Sequence, residues 1–275
     1  MTNETKYLVV GGTGKTGRRV ADRLRERDLP VRITSRRGVP PFEWAERDTW
    51  GPVLKGVDAV YLTYYPDLVV PGAADDIRAF TELAVAEGVR HLVLLSGRGE
   101  EEAEACERIV ADAGTGWTVL RCSWFAQNFS EHFLLDAVRS GEIALPAGAV
   151  TEPFLDVRDI AEVAVKVLTE PGHTGELYEL TGPRLLSFAD AAADISAASG
   201  RDVRYVPVSA EDYAAAAVEY GVPADEVGAL TELFTRVLDG RNESVTHDVE
   251  RVLGRPATDF AEFARDAAAT GVWAR

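Results

Sequence analysis

Three glycines with three-residue spacing separate a short apolar run from an amphipathic segment near the start of the chain. They are Gly11, Gly14 and Gly17, and the apolar run extends from Tyr7 to Val10. At a strand–loop–helix junction, such glycines permit a tight turn, close backbone approach to a ligand, and close packing of the helix on the strand. The free N–H groups of the helix start then favour an anion. The pattern predicts a pyrophosphate-binding loop in which Gly12, Thr13, Lys15 and Thr16 also contact the ligand.

The second apolar run, Val31 to Thr34, is followed by Ser35, Arg36 and Arg37 rather than by an acidic residue. An Asp or Glu at this place accepts hydrogen bonds from the ribose 2′-hydroxyl of NAD, whereas a guanidinium group pairs with the 2′-phosphate of NADP. We therefore expect NADP(H), with these three residues at the 2′-phosphate. The alternative is a solvated basic turn.

Short β-rich runs alternate with helical patterns along the first half of the chain. Strands are predicted at Tyr7 to Val10, Val31 to Thr34, Ala59 to Leu62, Leu92 to Leu95 and Val119 to Leu120, and helices at Lys15 to Arg27, Ala73 to Ala86, Glu100 to Ala113 and Phe125 to Ser140. This alternation predicts an α/β fold with a Rossmann-type, doubly wound parallel sheet. Residues 1–150 would form the NAD(P)-binding domain. Residues 151–275 would form a smaller, mostly helical substrate-binding lobe, with segments that return to the sheet.

Polar and aromatic residues follow the third, fourth and fifth predicted strands, where parallel strands of this fold bind ligands. Thr63, Tyr64, Ser96 and Gly97 are expected beside the cofactor, and Ser96 and Tyr64 are candidate hydrogen-bonding groups for the reaction. A planar substrate would be lined by Tyr65, Trp124, Phe125, Asn128 and Phe154. Plain packing is an equally good interpretation of the two tyrosines, because aromatic side chains often only fill space.

Composition excludes several classes of function. The 275 residues carry a net charge of −16, which repels nucleic-acid phosphates and anionic membranes. No apolar run approaches the roughly 18 residues of a membrane span, so we expect a cytoplasmic protein. The two cysteines, Cys106 and Cys122, lack a metal-binding spacing, so no metal is expected. A monomer or homodimer that binds a small molecule is the resulting expectation.

These segments together resemble the NmrA-like atypical short-chain dehydrogenases/reductases over nearly the whole chain. The resemblance rests on the glycine loop, the turn after Leu95, the segment from Trp117 to Arg121, and Phe154 to Asp159. Within that family, Ser35 to Arg37, Ser96 to Glu100 and Cys122 to Phe129 are most similar to the ergot-alkaloid EasG or festuclavine dehydrogenase group. A second similar group is the type 2 NAD(P)H:quinone oxidoreductases. The resemblance implies hydride transfer from NADPH to a cyclic imine or iminium, or to a quinone.

The helical segment from Glu100 to Ala113 contains neither Tyr nor Lys. It therefore lacks the Tyr-x-x-x-Lys pair with which typical members protonate a carbonyl oxygen. Iminium carbons and quinones accept hydride without a strong enzymic acid, so the missing pair favours such acceptors in secondary metabolism or detoxification. The alternative is a non-catalytic NADP-binding redox sensor, because regulatory NmrA-like proteins hold dinucleotides without turnover.

Overall fold

A computed structural model describes residues 6–219 and 224–274. Its centre is a six-stranded, fully parallel sheet with the strand order β2-β1-β3-β4-β5-β8. The strands of this sheet are β1 (Tyr7–Val9), β2 (Val31–Ile33), β3 (Ala59–Leu62), β4 (His91–Gly97), β5 (Gly116–Cys122) and β8 (Glu176–Leu180). The order reverses between β1 and β3, as a doubly wound sheet requires. The predicted fold class is confirmed.

Two pairs of short strands lie outside the central sheet. They are the parallel pair β6 (Glu142–Leu145) and β10 (Arg204–Pro207), and the antiparallel pair β7 (Thr151–Glu152) and β9 (Leu186–Ser187). The sequence patterns did not predict them, because strands of two to four residues carry too few positions to show a period.

Twelve α-helices are described. They are α1 (Lys15–Glu26), α2 (Trp50–Leu54), α3 (Ala73–Ala86), α4 (Glu101–Ala111), α5 (Asn128–Glu131), α6 (Leu135–Ser140), α7 (Val157–Thr169), α8 (Phe188–Ser199), α9 (Ala210–Glu219), α10 (Ala224–Val237), α11 (Asp248–Leu253) and α12 (Phe260–Ala269). The prediction of a single helix from Phe125 to Ser140 is wrong, because His132 has an extended backbone and separates α5 from α6. Among the described residues, no helix is both long and apolar enough to cross a membrane.

Every second residue along the strands points to the same face of the sheet, and the apolar residues on one face form a hydrophobic core. Leu8, Val60 and Leu92 are fully buried there against α3 and α4, which contribute Ile77 and Val110. Helices α1 and α7 pack against each other, and α7 contacts β3, β4 and β5. Nine of the thirteen residues of α7 are buried, which explains why its sequence is apolar on more than one face.

The chain forms two compact units. The sheet unit comprises Met1–Cys122, Val157–Leu180 and Asp248–Pro256, and the second unit comprises Ser123–Asp156, Thr181–His247 and Ala257–Arg275. The chain therefore passes between the units five times, whereas the sequence-based division placed a single boundary at residue 150. The difference arises because β8, which follows residue 150, pairs with β5 and so belongs to the sheet.

Candidate functional site

In the glycine loop, the backbone around Gly14 and Gly17 lies close to the backbone of Gly11. The Gly14 N–H donates to the Gly11 carbonyl at 2.9 Å, which closes the turn before α1. A β-carbon on Gly17 would lie 2.3 Å from the same carbonyl oxygen, so no larger residue fits without movement of the loop. The glycine at position 17 thus allows the first turn of α1 to lie directly against the loop.

The ends of three neighbouring strands meet at this loop. After β2, the Thr34 hydroxyl accepts from the Gly11 N–H at 3.3 Å and its carbonyl accepts from the Gly12 N–H at 3.2 Å. After β3, Thr63 donates to the Val10 carbonyl at 2.9 Å. Gly11 has a φ of +71°, and a β-carbon there would lie 2.4 Å from the Thr63 hydroxyl oxygen. The structure brings Thr63 to the loop, and it also brings Thr34, which sequence reasoning assigned only to the strand.

The start of α1 can bind an anion. Gly14 is its N-cap, no side chain caps the helix, and its first turn contains no acidic residue. Thr13 and Gly14 are exposed, Lys15 is half-buried and Thr16 is buried. Because uncapped N–H groups and the helix dipole favour negative charge, this arrangement fits a phosphate group.

Two exposed guanidinium groups follow β2. Arg36 and Arg37 are exposed at a turn, whereas Ser35 is half-buried and its carbonyl accepts from the N–H groups of Gly38 and Phe42. For both arginines, the structure records no ion pair with any residue in the described ranges. Their position two and three residues beyond Thr34 suits contact with a phosphate near the glycine loop.

The hydroxyl of Tyr64 is engaged within the protein. It donates to Asp76 at 2.9 Å, and the ring packs on Trp44 with a centroid separation of 4.7 Å. Burial and the hydrogen bond to Asp76 raise the pKa of Tyr64 to about 12. Arg47 binds the other oxygen of the same carboxylate at 2.9 Å. The hydroxyl of Tyr64 is thus bound to Asp76, and its role in the reaction stays a prediction. Tyr65, in contrast, is 72% exposed.

Ser96 is also engaged within the protein. It is 4% exposed and donates to a Glu107 carboxylate oxygen at 2.6 Å. Its hydroxyl therefore points toward Glu107, and its role in the reaction stays a prediction. Gly97 is half-buried, and a β-carbon on it would lie 2.2 Å from the Glu100 carboxylate. A larger residue at Gly97 would displace that side chain.

A polar row crosses three strands near their carboxyl ends. Ser96 of β4 is in register with Arg121 of β5, and Arg121 is in register with Glu179 of β8. Arg121 forms a two-point ion pair with the buried Glu107 and a 3.3 Å contact with Glu179. These hydrogen bonds, that of Glu107 foremost, raise the pKa of Arg121. A sequence signal was available, since Arg121 and Glu179 are charged residues directly after the apolar residues Leu120 and Tyr178 of their strands.

Neither thiol is activated. Both cysteines are free and buried; burial raises the pKa of Cys106 to about 11 and raises that of Cys122 as well. Nucleophilic chemistry needs the thiolate, which burial disfavours.

In the second unit, the candidate substrate residues fall into two groups. Trp124, Phe125 and Asn128 are half-buried and present part of their surface. Phe154 is 1% exposed and packs edge-on against Phe129 at 5.4 Å, which places it in the core of this unit. The residues beside it in the sequence are also apolar, so the sequence alone could not distinguish a residue that lines a pocket from one in the hydrophobic core.

Curated relatives match the chain over nearly its whole length. It is 35% identical to an NAD(P)H azoreductase of Xenophilus azovorans, covering 95% of this chain and 98% of that protein. It is 31% identical to the agroclavine dehydrogenase of Claviceps fusiformis, covering 94% and 96%. The expected likeness to the ergot-alkaloid dehydrogenases is thus confirmed. No family model matches the chain.

Solved structures share the fold. The NADPH-dependent quinone oxidoreductase of Escherichia coli, solved with NADPH, superposes with a TM-score of 0.81 at 23% identity over 94% of this chain and 99% of that one. The negative transcriptional regulator NmrA, solved with NAD, gives a TM-score of 0.72 at 16% identity over 98% of each chain. With the glycine loop, the parallel sheet and relatives above 30% identity together, the chain belongs to the NmrA-like atypical short-chain dehydrogenases/reductases.

Proposed function

We propose that this protein is an NADPH-dependent reductase that transfers a hydride to a small planar organic acceptor. The observation that carries the proposal is the uncapped start of α1 at a loop where Gly17 leaves no room for a β-carbon. The azoreductase and agroclavine dehydrogenase relatives support a reductase, and the quinone oxidoreductase with the same fold supports NADPH. Candidate acceptors are a cyclic iminium, a quinone or an azo compound.

The residues of this chain would divide the binding of the cofactor among them. The backbone from Gly11 to Gly17 would hold the pyrophosphate, and Arg36 with Arg37 and Ser35 would hold the 2′-phosphate. Thr63, Tyr64, Ser96 and Gly97 would stand at the strand ends beside it, with Ser96 and Tyr64 shaping the site through backbone and packing. The cofactor supplies a hydride, and the protein supplies position and exclusion of water.

The lack of Tyr and Lys in α4 supports acceptors that need no strong enzymic acid. The helix places Glu107 against Arg121, where the carboxylate is held by an ion pair and by the Ser96 hydroxyl. A quinone gives a stabilised anion that takes its proton from water, and an iminium is already positively charged. Ordinary ketone reduction is disfavoured on the same grounds.

A turnover assay tests the reaction. Purified protein is mixed with NADPH and a panel of quinones, azo dyes and cyclic imines, and NADPH oxidation is followed by absorbance. At least one acceptor should accelerate oxidation well above the rate without protein. Tight NADPH binding with no acceleration by any acceptor would contradict the proposal and favour a sensor.

Cofactor choice is tested separately with Arg36→Ala. Loss of one charge-assisted contact to the 2′-phosphate should raise the Kd for NADPH about 10- to 100-fold and leave that for NADH nearly unchanged. Arg108→Ala, which removes an exposed arginine on α4, is the matched control and should change neither. Equal losses for both cofactors with Arg36→Ala would remove it from the 2′-phosphate site.

A further inference from the structure

The second unit contains an aromatic cluster that the sequence motifs did not indicate. Phe234 of α10 is fully buried at its centre. Around it lie Trp124, stacked at 5.7 Å with an interplanar angle of 23°, Phe133 at 5.8 Å, and Tyr213 edge-on at 5.3 Å. These three surrounding rings are only half-buried. The buried ring of Phe234 thus contacts three rings that are each partly exposed to solvent.

Tyr213 comes from α9, a helix none of whose ten residues is buried. The Ser209 side chain accepts from the Asp212 N–H at 3.0 Å, and the Ser209 carbonyl accepts from the Tyr213 N–H at 3.0 Å. The first turn of the helix is therefore fixed, and with it the point from which the Tyr213 side chain reaches Phe234. The ring contact explains the position of the side chain but gives the hydroxyl no role.

The Tyr213 hydroxyl is a neutral donor. Partial burial raises its pKa above the ordinary value of 10.0, so the phenol keeps its proton at neutral pH. Within the described part of the chain, the structure records no hydrogen-bond partner for this oxygen. Tyr205 of the same unit differs, because its hydroxyl donates to the Leu145 carbonyl at 3.1 Å.

We infer that Trp124, Phe133 and Tyr213 form the acceptor-binding surface, and that the Tyr213 hydroxyl donates a hydrogen bond to the heteroatom of a planar, electron-poor aromatic acceptor. The inference rests on the proposed reductase function and names the residues that would hold its acceptor. Aromatic rings carry negative faces, so they stack favourably on electron-poor π systems such as quinones and azo dyes. Half-buried rings offer such a partner apolar area without unfavourable exposure of polar groups.

Reduction of the acceptor by hydride transfer does not require Tyr213 to lose its proton. Two electrons and one proton arrive at the acceptor as hydride from NADPH, which becomes NADP+, and water supplies the second proton. The phenol donates its hydrogen bond to the oxygen or nitrogen on which negative charge develops, and it remains a phenol throughout. Such a donor lowers the barrier through charge stabilisation.

The test compares Tyr213→Phe with Tyr205→Phe, each of which removes one hydroxyl from the second unit. Menadione serves as the quinone and methyl red as the azo dye, and kcat and KM are measured for each acceptor and for NADPH. Tyr213→Phe should lower kcat/KM for the acceptor about tenfold and leave the KM for NADPH unchanged. Tyr205→Phe should change acceptor kcat/KM less than about twofold. Equal effects of the two variants would overturn the role of the hydroxyl.

Phe133→Leu tests the surface independently of the hydroxyl. Loss of ring stacking should weaken methyl red about three- to tenfold in an absorbance titration of the NADP+-loaded protein, with unchanged NADP+ affinity. This titration needs no turnover, so it distinguishes failure of the binding surface from failure of the proposed reaction. Circular dichroism melting verifies that the variants are folded. Unchanged dye affinity in folded Phe133→Leu and Tyr213→Leu proteins would overturn the inference.

Discussion

At the scale of single residues, the lack of a side chain at Gly17 allows the start of α1 to lie close to the glycine loop. A β-carbon there would lie 2.3 Å from the Gly11 carbonyl oxygen, well inside van der Waals contact. Gly17→Ala should therefore displace the loop, raise the Kd for NADPH by at least about tenfold, and lower the free energy of unfolding by about 1–3 kcal/mol. Titration with NADPH and urea unfolding measure the two effects.

Gly51→Ala is the matched control for that change. A β-carbon on Gly51, within α2, meets no atom within 4 Å. Alanine in a helix is favoured over glycine by about 0.5–1 kcal/mol, so this variant should be at least as stable as the parent and bind NADPH equally well. Similar behaviour of the two alanine variants would contradict the steric explanation.

The buried pair of Glu107 and Arg121 belongs to the same scale. Their side chains are only 6% and 18% exposed, and Ser96 donates to the same carboxylate. Arg121→Met would leave Glu107 charged and buried, which should cost about 3–5 kcal/mol of the free energy of unfolding. Arg25→Met, in a pair with side chains 52% and 61% exposed, should cost about 0–1 kcal/mol.

A third variant separates the lost ion pair from lost packing. In the double variant Glu107→Gln with Arg121→Met, neither member of the pair leaves a buried charge. The free energy of unfolding, measured with urea, should therefore recover a large part of the loss. A double variant as unstable as Arg121→Met alone would assign the cost to packing around the arginine stem.

At the scale of elements, the start of α12 combines a cap with an ion pair. Asp259 is the N-cap and accepts from the Ala261 N–H at 2.8 Å, while Arg184 binds the same carboxylate at 2.7 and 3.0 Å. Arg184 holds the pKa of Asp259 below its ordinary value of 3.8. Because the folded-state pKa is the lower one, the charge stabilises the fold above the unfolded pKa, and this contribution is lost as the pH falls through the folded pKa.

Asp259→Asn isolates that contribution, since Asn caps a helix about as well as Asp. The parent should be more stable than the variant near neutral pH by about 1 kcal/mol or less, because the pair is partly exposed. The difference should shrink between about pH 5 and pH 2. Urea unfolding at several pH values measures it, and a difference that is constant over this range would contradict a charge effect.

At the scale of the whole molecule, the sheet is built from segments that are far apart in sequence. The edge strand β8 pairs with β5, and α7 covers strands β3 to β5, yet both follow residue 150. A fragment of residues 1–150 should therefore expose apolar sheet surface and be insoluble or lack a cooperative melting transition. Expression and calorimetry check this against the full chain, and a soluble fragment that binds NADPH with parental affinity would restore a boundary at residue 150.

The sequence by itself determined most elements of the sheet unit and its glycine loop. Their signals are local: apolar runs, helical periods, and glycines at fixed spacing that permit only close backbone approach. The helices and strands of the first half were accordingly placed within a few residues, apart from α2, which was not predicted, and the segment between Phe125 and Ser140. Arg36 could be singled out for the same reason, because its proposed role depends on the strand end immediately before it.

Only the tertiary structure decided which side chains face inward. The sequence offered Ser96 and Tyr64 as free hydroxyls, but Glu107 and Asp76 accept hydrogen bonds from them. Phe154 and Trp124 are both aromatic residues in apolar surroundings, yet one is core and the other half-exposed. Such partners lie far away in the chain, and burial depends on packing among all of them. For this reason the glycine loop could be recognised from the residues in order, whereas the ring contacts around Phe234 emerged only from the fold.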